Sequence, residues 1–86
     1  MTSDVNDNRE KSRFELTEGQ DTVIADYHIN DKTLYIDYVE SPTALRGTGA
    51  AGRLMEGIMS QAAKDGLAVV PVCGYASAWM RRHRAL

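Results

Sequence analysis

Apolar and polar residues alternate along the first half of the chain. Phe14 and Leu16 alternate with polar neighbours over residues 13–18, which is the pattern of a half-buried β-strand. Similar runs predict strands over residues 22–29 and 33–40, and polar turns separate the three. Three strands joined by short turns form an antiparallel meander.

The spacing of apolar residues changes in the second half. From Ala50 they recur every three or four positions, which predicts an amphipathic helix that ends before Gly66. The almost wholly apolar run over residues 67–73 predicts a strand covered on both faces. A short basic helix is predicted to follow over residues 77–83.

These elements predict an α+β fold. Its mixed β-sheet has three antiparallel strands and then a loop–helix–strand crossover, with one long helix packed on the sheet and a short C-terminal helix. The connection is long enough for the last strand to pair in parallel. We assign residues 13–86 to a single domain, because a chain of 86 residues has room for one core. The polar residues 1–12 are expected to form a disordered or frayed tail.

The composition is that of an ordinary globular domain and narrows the function classes. Hydrophobic residues make up 43% and charged residues 26%, and the net charge of −2 offers no attraction to nucleic acid or an anionic membrane. No apolar run approaches the roughly 18 residues of a membrane span. One cysteine and two histidines make no zinc-ligand set, so we expect no metal. We expect a cytoplasmic monomer or weak dimer.

The segment just before the predicted helix is rich in small residues. It matches G-x-G-x-x-G, but the chain is too short for a dinucleotide-binding fold and lacks the acidic residue expected about 20 positions later. Glycines let backbone N–H groups approach an anion, and the unpaired amides of a helix start favour phosphate. The alternative is a flexible loop whose glycines serve only turning and helix packing. The basic residue before the glycines favours a pyrophosphate-binding loop formed by Arg46, Gly47, Thr48, Gly49, Ala50 and Ala51.

The loop also resembles a family signature. Arg46-x-x-Gly49-x-Ala51 fits the Gln/Arg-x-x-Gly-x-Gly/Ala motif of the GNAT N-acetyltransferases. The short YjdJ-type GNAT-like proteins are similar from the first predicted strand to the last helix, through five stretches: Phe14-Glu15-Leu16, Pro42, Leu45 to Gly49, Pro71-Val72-Cys73-Gly74-Tyr75 and Arg81-Arg82-His83. The resemblance implies a GNAT-like fold and acetyl-coenzyme A, or coenzyme A, as the cofactor.

The resemblance further implies where the acetyl group lies. In GNAT folds the strands corresponding to residues 33–40 and 67–73 splay apart, and the thioester occupies the gap. Backbone amides near Tyr38 to Glu40 would hold the acetyl oxygen, and Cys73 would lie near the sulfur. Tyr38, Val39 and Tyr75 are counted with the cofactor site. Members of the group often carry His-Thr-Glu-Val in the third strand, where this chain has Tyr38-Val39-Glu40-Ser41 and keeps only Glu40.

Three side chains are candidates for the chemistry. Cys73 ends the apolar strand and is a candidate nucleophile that accepts the acetyl group, the alternative being an inert buried thiol. Glu40 is a candidate general base acting through water, the alternative being a solvated carboxylate. The hydroxyl of Tyr75 is a candidate acid for the thiolate, or a surface group on a packed ring. His28 lies in mid-strand and is interpreted as structural.

The sequence leaves two functions open. One is an acetyl-coenzyme A-dependent N-acetyltransferase that acts on a small-molecule or protein amine, and Cys73 and Glu40 favour it. The other is a non-catalytic module that binds coenzyme A or acyl-coenzyme A as a sensor or interaction protein. The missing strand histidine and the missing acceptor-side helices of full-length GNAT enzymes favour the second. Residues 81–84 are interpreted as a solvated basic face with one candidate contact to the coenzyme's 3′-phosphate, and no nucleic-acid partner is expected.

Overall fold

The computed structural model describes residues 5–83. They form β1 (Asn6–Asn8), β2 (Arg13–Glu18), β3 (Asp21–Asn30), β4 (Thr33–Glu40), α1 (Ala50–Lys64), β5 (Ala68–Pro71) and α2 (Gly74–His83), with a short 3₁₀ turn at Thr43–Leu45. The five strands lie in one sheet in chain order, antiparallel from β1 to β4, and β5 runs parallel to β4. The predicted α+β fold is confirmed. Neither helix in residues 5–83 has the length and apolar character needed to cross a membrane.

The core lies between one face of the sheet and the two helices. Successive side chains of a strand point to opposite faces, so alternate residues of β2, β3 and β4 are buried against α1. These residues are Phe14, Leu16, Val23, Ala25, Tyr27, Leu34 and Ile36. Leu54, Met55 and Ile58 of α1 and Trp79 of α2 join the same cluster. Both helices therefore cover one face, and no described helix covers the other.

Strand β1 lies in the segment that was expected to be a frayed tail. Asp7 pairs with Phe14 at the centre of a three-residue ladder between β1 and β2. The carboxylate of Asp7 also accepts a hydrogen bond of 2.6 Å from the hydroxyl of Tyr27. The tail prediction over residues 1–12 is therefore wrong at Asn6–Asn8, because a backbone ladder can hold polar residues that show no apolar periodicity. Residues 1–4, like residues 84–86, lie outside the described part of the chain.

Strand β5 lies at the edge of the sheet, and the prediction that it is covered on both faces is wrong. It is four residues long, and Ala68 and Val70 are exposed. The N–H groups of Ala68 and Val72 donate to the carbonyls of Lys32, just before β4, and of Ile36 in β4. The nitrogen of Pro71 therefore faces the free edge, where a missing N–H breaks no ladder bond. An apolar run alone does not distinguish an edge strand from a central one.

Helix α2 begins three residues before its predicted start. The carbonyl of Cys73 accepts the N–H of Ser77 at 2.9 Å, so the chain turns from β5 into the helix almost directly. Ala76 and Trp79 are buried against the core. The early start places Tyr75 in the first turn of α2, where it faces the end of β4.

Candidate functional site

A cavity of about 420 Å³ lies between the end of β4, the loop that follows it, and the first turns of α1 and α2. Its size falls within the range of about 300–1,000 Å³ that is common for ligand pockets. The residues that line it are Tyr38, Val39, Glu40, Ser41, Leu45, Arg46, Gly47, Gly49, Ala51, Gly52 and Tyr75. Glu40 and Arg46 are the two charged residues of this lining.

The loop between β4 and α1 is anchored at one end and turns sharply at the other. Leu45, in the 3₁₀ turn, is 8% exposed and packs into the core. Gly47 and Gly49 follow with φ angles of 79° and 87°, in the left-handed region that favours glycine. Gly49 is also the residue that caps α1. The two glycines therefore set the direction in which the loop enters the helix.

Thr48 holds the loop together from within. Its hydroxyl donates to the carbonyl of Leu45 at 2.6 Å and accepts the N–H of Ala50 at 3.2 Å. Its own N–H donates to the same carbonyl of Leu45 at 3.3 Å. The polar groups of Thr48 and the amide of Ala50 are thus used inside the loop, and neither residue lines the cavity.

The backbone amides of the neighbouring residues, in contrast, make no hydrogen bond within the described part of the chain. Within residues 5–83, the N–H groups of Gly47, Gly49, Ala51 and Gly52 have no hydrogen-bond partner. For Ala51 and Gly52 the reason is general, because the first N–H groups of an α-helix have no acceptor one turn earlier. All four residues line the cavity. Together with the positive end of the α1 dipole, they form a site suited to an anion.

Arg46 adds a cation at the mouth of this site. Its Nε donates to the carbonyl of Ser41 at 3.1 Å, which fixes the side chain along the loop. Its two terminal nitrogens have no partner among residues 5–83 and are available to a phosphate. The arrangement of amides and guanidinium fits a pyrophosphate group.

A second basic residue braces the loop from the outside. Arg53, in the first turns of α1, makes two hydrogen bonds of 2.9 and 2.7 Å with the carboxylate of Glu18 at the end of β2. Its Nη1 donates to the carbonyl of Thr48 at 3.3 Å. An added Cβ on Gly49 would lie 3.3 Å from the same nitrogen. The loop is therefore tied to the β2–β3 hairpin through Arg53.

The two parallel strands separate where the cavity begins. β4 and β5 pair as far as Ile36 and Pro71, and then the carbonyl of Ile36 accepts the N–H groups of both Val72 and Cys73 at 3.0 Å. Beyond this point the residues from Tyr38 to Glu40 have no strand on the β5 side. The opening leaves one backbone edge of β4 exposed to the cavity.

Burial changes the acidity of one lining side chain. Desolvation raises the pKa of the Tyr75 hydroxyl above its ordinary value, and the nearby Arg82 cation opposes part of this effect. The hydroxyl therefore keeps its proton at neutral pH and can donate a hydrogen bond into the cavity.

The structure brings most of the candidate site residues together. Eight of them line the cavity: Tyr38, Val39, Glu40, Arg46, Gly47, Gly49, Ala51 and Tyr75. Thr48 and Ala50 shape the loop instead. Cys73 is half-buried against the core at the start of α2 and is not part of the lining.

Sequence reasoning missed the bracing pair Glu18–Arg53. The two residues are 35 positions apart, and no local pattern connects them. The unpaired amide of Gly52 was not predicted either, although its place in the G-x-G-x-x-G match was a usable signal for it.

Comparison with known proteins was made on the whole chain. Residues 13–86 match the family model of the GCN5-related N-acetyl-transferases. The match begins at β2 and includes every later strand, both helices and the cavity. No match was found among curated proteins.

Proposed function

Because the chain belongs to the family of GCN5-related N-acetyl-transferases, we propose that it binds acetyl-coenzyme A in the cavity and transfers the acetyl group to an amine. The general acetyltransferase role follows from the family. The cofactor site and the amine acceptor are the parts that we propose. Kinship with the short YjdJ-type members is part of the same proposal, supported by the stretch from Pro71 to Tyr75.

The single observation that carries the proposal is the set of unpaired amides. Four residues with unpaired N–H groups, Gly47, Gly49, Ala51 and Gly52, line one cavity at the positive end of α1. Arg46 places a cation beside them. Buried or cavity-facing donors without partners are costly unless a ligand or water accepts from them, so this arrangement selects for an anionic group. The coenzyme's pyrophosphate is such a group.

The open edge of β4 is proposed to receive the acetyl end. Acetyl-coenzyme A supplies an activated thioester when it is bound. The backbone beside Tyr38 and Val39 lies next to the gap between β4 and β5 and is available to the acetyl oxygen. Tyr75 lines the same cavity, and its protonated hydroxyl is proposed as a donor to the sulfur.

The candidate catalytic residues Glu40 and Cys73 differ in whether they line the cavity. Glu40 lines the cavity, so its carboxylate can act on a proton there directly or through water. Cys73 is half-buried against the core and is not part of the lining, and an acetyl transfer through its thiol requires the side chain to reach the cavity. We therefore infer direct transfer to the amine and keep the covalent route as the less supported one.

The test begins with binding. Titration of the ¹⁵N-labelled protein with coenzyme A is expected to move the amide signals of residues 47–52, and the amide of Gly19, in a distant hairpin turn, is the internal control. Arg46→Gln is expected to weaken binding by about tenfold or more, because a charge-assisted hydrogen bond is lost. If the amides of residues 47–52 do not shift at millimolar coenzyme A, the proposal is wrong.

Turnover then separates the two candidate functions. Incubation with acetyl-coenzyme A and a panel of amines is expected to give acetylated product, detected by mass spectrometry. If transfer depended on the thiol of Cys73, its position outside the lining would favour the non-catalytic coenzyme A-binding module. We expect Cys73→Ala to retain transfer. Binding without turnover would identify a coenzyme A-binding module instead.

A further inference from the structure

The face of the sheet that no described helix covers carries a set of paired polar residues. Arg13 and Asp26 form an ion pair there, with 3.0 Å between Nε and Oδ1. Further along β3 and β4, His28 and Asp37 form a second pair, with 2.7 Å between Nδ1 and Oδ2. The two pairs lie on the same open face but differ in chemistry, because the second contains an imidazole and the first does not.

The imidazole of His28 is held on two sides. Asp37 binds its Nδ1, and the ring of Tyr35 stacks on its face with 4.6 Å between centroids and 6° between planes. A carboxylate can only accept, so Nδ1 carries the hydrogen and the neutral ring keeps its lone pair on Nε2. Within residues 5–83, Nε2 has no partner. The side chain is 56% exposed, so Nε2 is open to a ligand.

A bulge at Asp37 connects this pair to the part of β4 that lines the cavity. Tyr27 pairs with Ile36 and Asp26 pairs with Tyr38, which leaves Asp37 as the extra residue of β4. The bulge lies where β4 and β5 separate, and the next residue, Tyr38, lines the cavity. Asp37 thus points its carboxylate to His28 on the open face, while its neighbour forms the cavity wall.

We propose that His28 is the general base for the acceptor amine, that Asp37 is its positioning residue, and that the amine approaches from the open face of the sheet. This inference rests on the proposed acetyltransferase function and deepens it. A carboxylate on Nδ1 with a free Nε2 is the arrangement that orients an imidazole to accept a proton and stabilises the imidazolium that forms.

The proton and electron changes balance without a further reactant. Nε2 of His28 takes one proton from the acceptor ammonium R–NH₃⁺, which leaves R–NH₂ with a free lone pair. The amine nitrogen forms the C–N bond to the acetyl carbon, and the C–S bond breaks with its electron pair on sulfur. The second amine proton goes to that sulfur as the amide forms. The imidazolium returns its proton to water, and Asp37 remains a carboxylate throughout.

The alternative is a surface ion pair of the kind that contributes little to stability. The pair Arg13–Asp26 provides the matched control. It lies on the same face, has a similar distance between its nitrogen and oxygen atoms, and contains no imidazole. Asp26→Asn removes an ion pair there without altering His28, Asp37 or Tyr35, which are the titratable groups of the stacked cluster. It is expected to leave acetyl transfer within about twofold of the wild type.

The experiment compares His28→Gln, Asp37→Asn and Asp26→Asn in the full chain. Coenzyme A binding is measured by calorimetry, and acetyl transfer is measured with spermidine and with a lysine peptide. For His28→Gln we expect unchanged binding, a fall in kcat of about 100-fold, and loss of one ionisation from the pH–rate profile. Asp37→Asn is expected to lower kcat by about tenfold or more. Free imidazole is expected to restore part of the activity of His28→Ala, which a purely structural role would not produce.

The outcomes distinguish this inference from the proposed function. Transfer by His28→Gln at the wild-type rate would overturn the role of His28 while the acetyltransferase proposal stands. Wild-type protein that binds coenzyme A but acetylates neither amine would overturn the base role and leave a coenzyme A-binding module. Wild-type protein that binds no coenzyme A would overturn the proposed function, and the base role with it.

Discussion

At the scale of single residues, the loop between β4 and α1 depends on which amides are already bonded. Thr48 and Ala50 use their N–H groups inside the loop, so these donors are unavailable to a ligand. Their neighbours Gly47 and Gly49 adopt left-handed conformations, line the cavity and have unpaired N–H groups. The binding surface is thus built from backbone, and its shape depends on residues that have no side chain.

We expect Gly49→Ala to lower both stability and coenzyme A affinity. A left-handed φ costs an L-residue about 1–2 kcal/mol, and the new Cβ would also lie 3.3 Å from Nη1 of Arg53. The loop must then shift, and its amides lose their alignment. Urea unfolding should show the loss of stability, and calorimetry should show affinity reduced by about tenfold.

Gly19→Ala is the matched control for this prediction. Gly19 has a φ of 66° in the hairpin between β2 and β3, and an added Cβ there has nothing within 4 Å. It should lose stability through the same backbone strain and keep its affinity. Equal affinities of Gly49→Ala and the wild type would show that the loop backbone does not bind the coenzyme.

At the scale of elements, the site depends on how α1 is fixed to the sheet. The pair Glu18–Arg53 connects the end of β2 to the first turns of α1, and Arg53 also reaches the carbonyl of Thr48. The pair is partly solvated, with side-chain exposures of 34% and 48%, so its contribution to global stability is modest. Its effect should be local, on the loop that Arg53 braces.

We expect Glu18→Gln to weaken coenzyme A binding several-fold with a loss of stability of only about 0.5 kcal/mol. The amide cannot hold the guanidinium through two charged oxygens, so Arg53 becomes mobile and the Thr48 carbonyl loses its brace. Calorimetry and urea unfolding measure the two effects. Asp26→Asn makes the same charge change in the ion pair with Arg13, which does not include the loop, and should leave affinity unchanged. A parallel loss in both variants would point to net charge as the cause.

At the scale of the whole molecule, β1 and β5 are the two edge strands of the sheet, and different interactions hold them in place. β5 is held by its parallel pairing with β4 and by the chain that enters α2. β1 is held by three ladder pairs with β2 and by the bond from the Tyr27 hydroxyl to Asp7, which spans β2. Desolvation, with the hydrogen bond and the charge of Asp7, raises the pKa of Tyr27 from 10.0 to about 12, and Arg9 opposes part of the shift.

This pKa makes global stability sensitive to alkaline pH. Below pH 10 both the folded and unfolded states hold the phenol proton, so the stabilisation is fully present. Between pH 10 and about 12 only the folded state holds it, and the free energy of unfolding should fall by about 1.4 kcal/mol per pH unit. Urea unfolding at several pH values should show this slope in the wild type and its loss in Tyr27→Phe. Equal slopes in the two proteins would exclude Tyr27 as the cause.

Much of the fold could be predicted from the local pattern of apolar, polar and turn residues, but the site could be predicted only in part. The bounds of β2 and β4 and the start of α1 agree with those expected, because side-chain periodicity and turn residues act over a few positions. The edge position of β5 and the existence of β1 were not predicted. An edge strand differs from a central one only in what lies beside it, and β1 carries no apolar periodicity.

The amino-acid sequence by itself determined the character of the loop at Arg46 to Gly52, the helix after it and the strand before it. These features follow from glycine conformations, helix starts and strand periodicity, which are interactions between residues close along the chain. Only the tertiary structure decided that Thr48 and Ala50 brace the loop, that Cys73 lies outside the cavity lining, and that Asp37 forms a hydrogen bond with His28. Those arrangements depend on hydrogen bonds, a bulge and strand positions that join distant segments, and no local pattern specifies them.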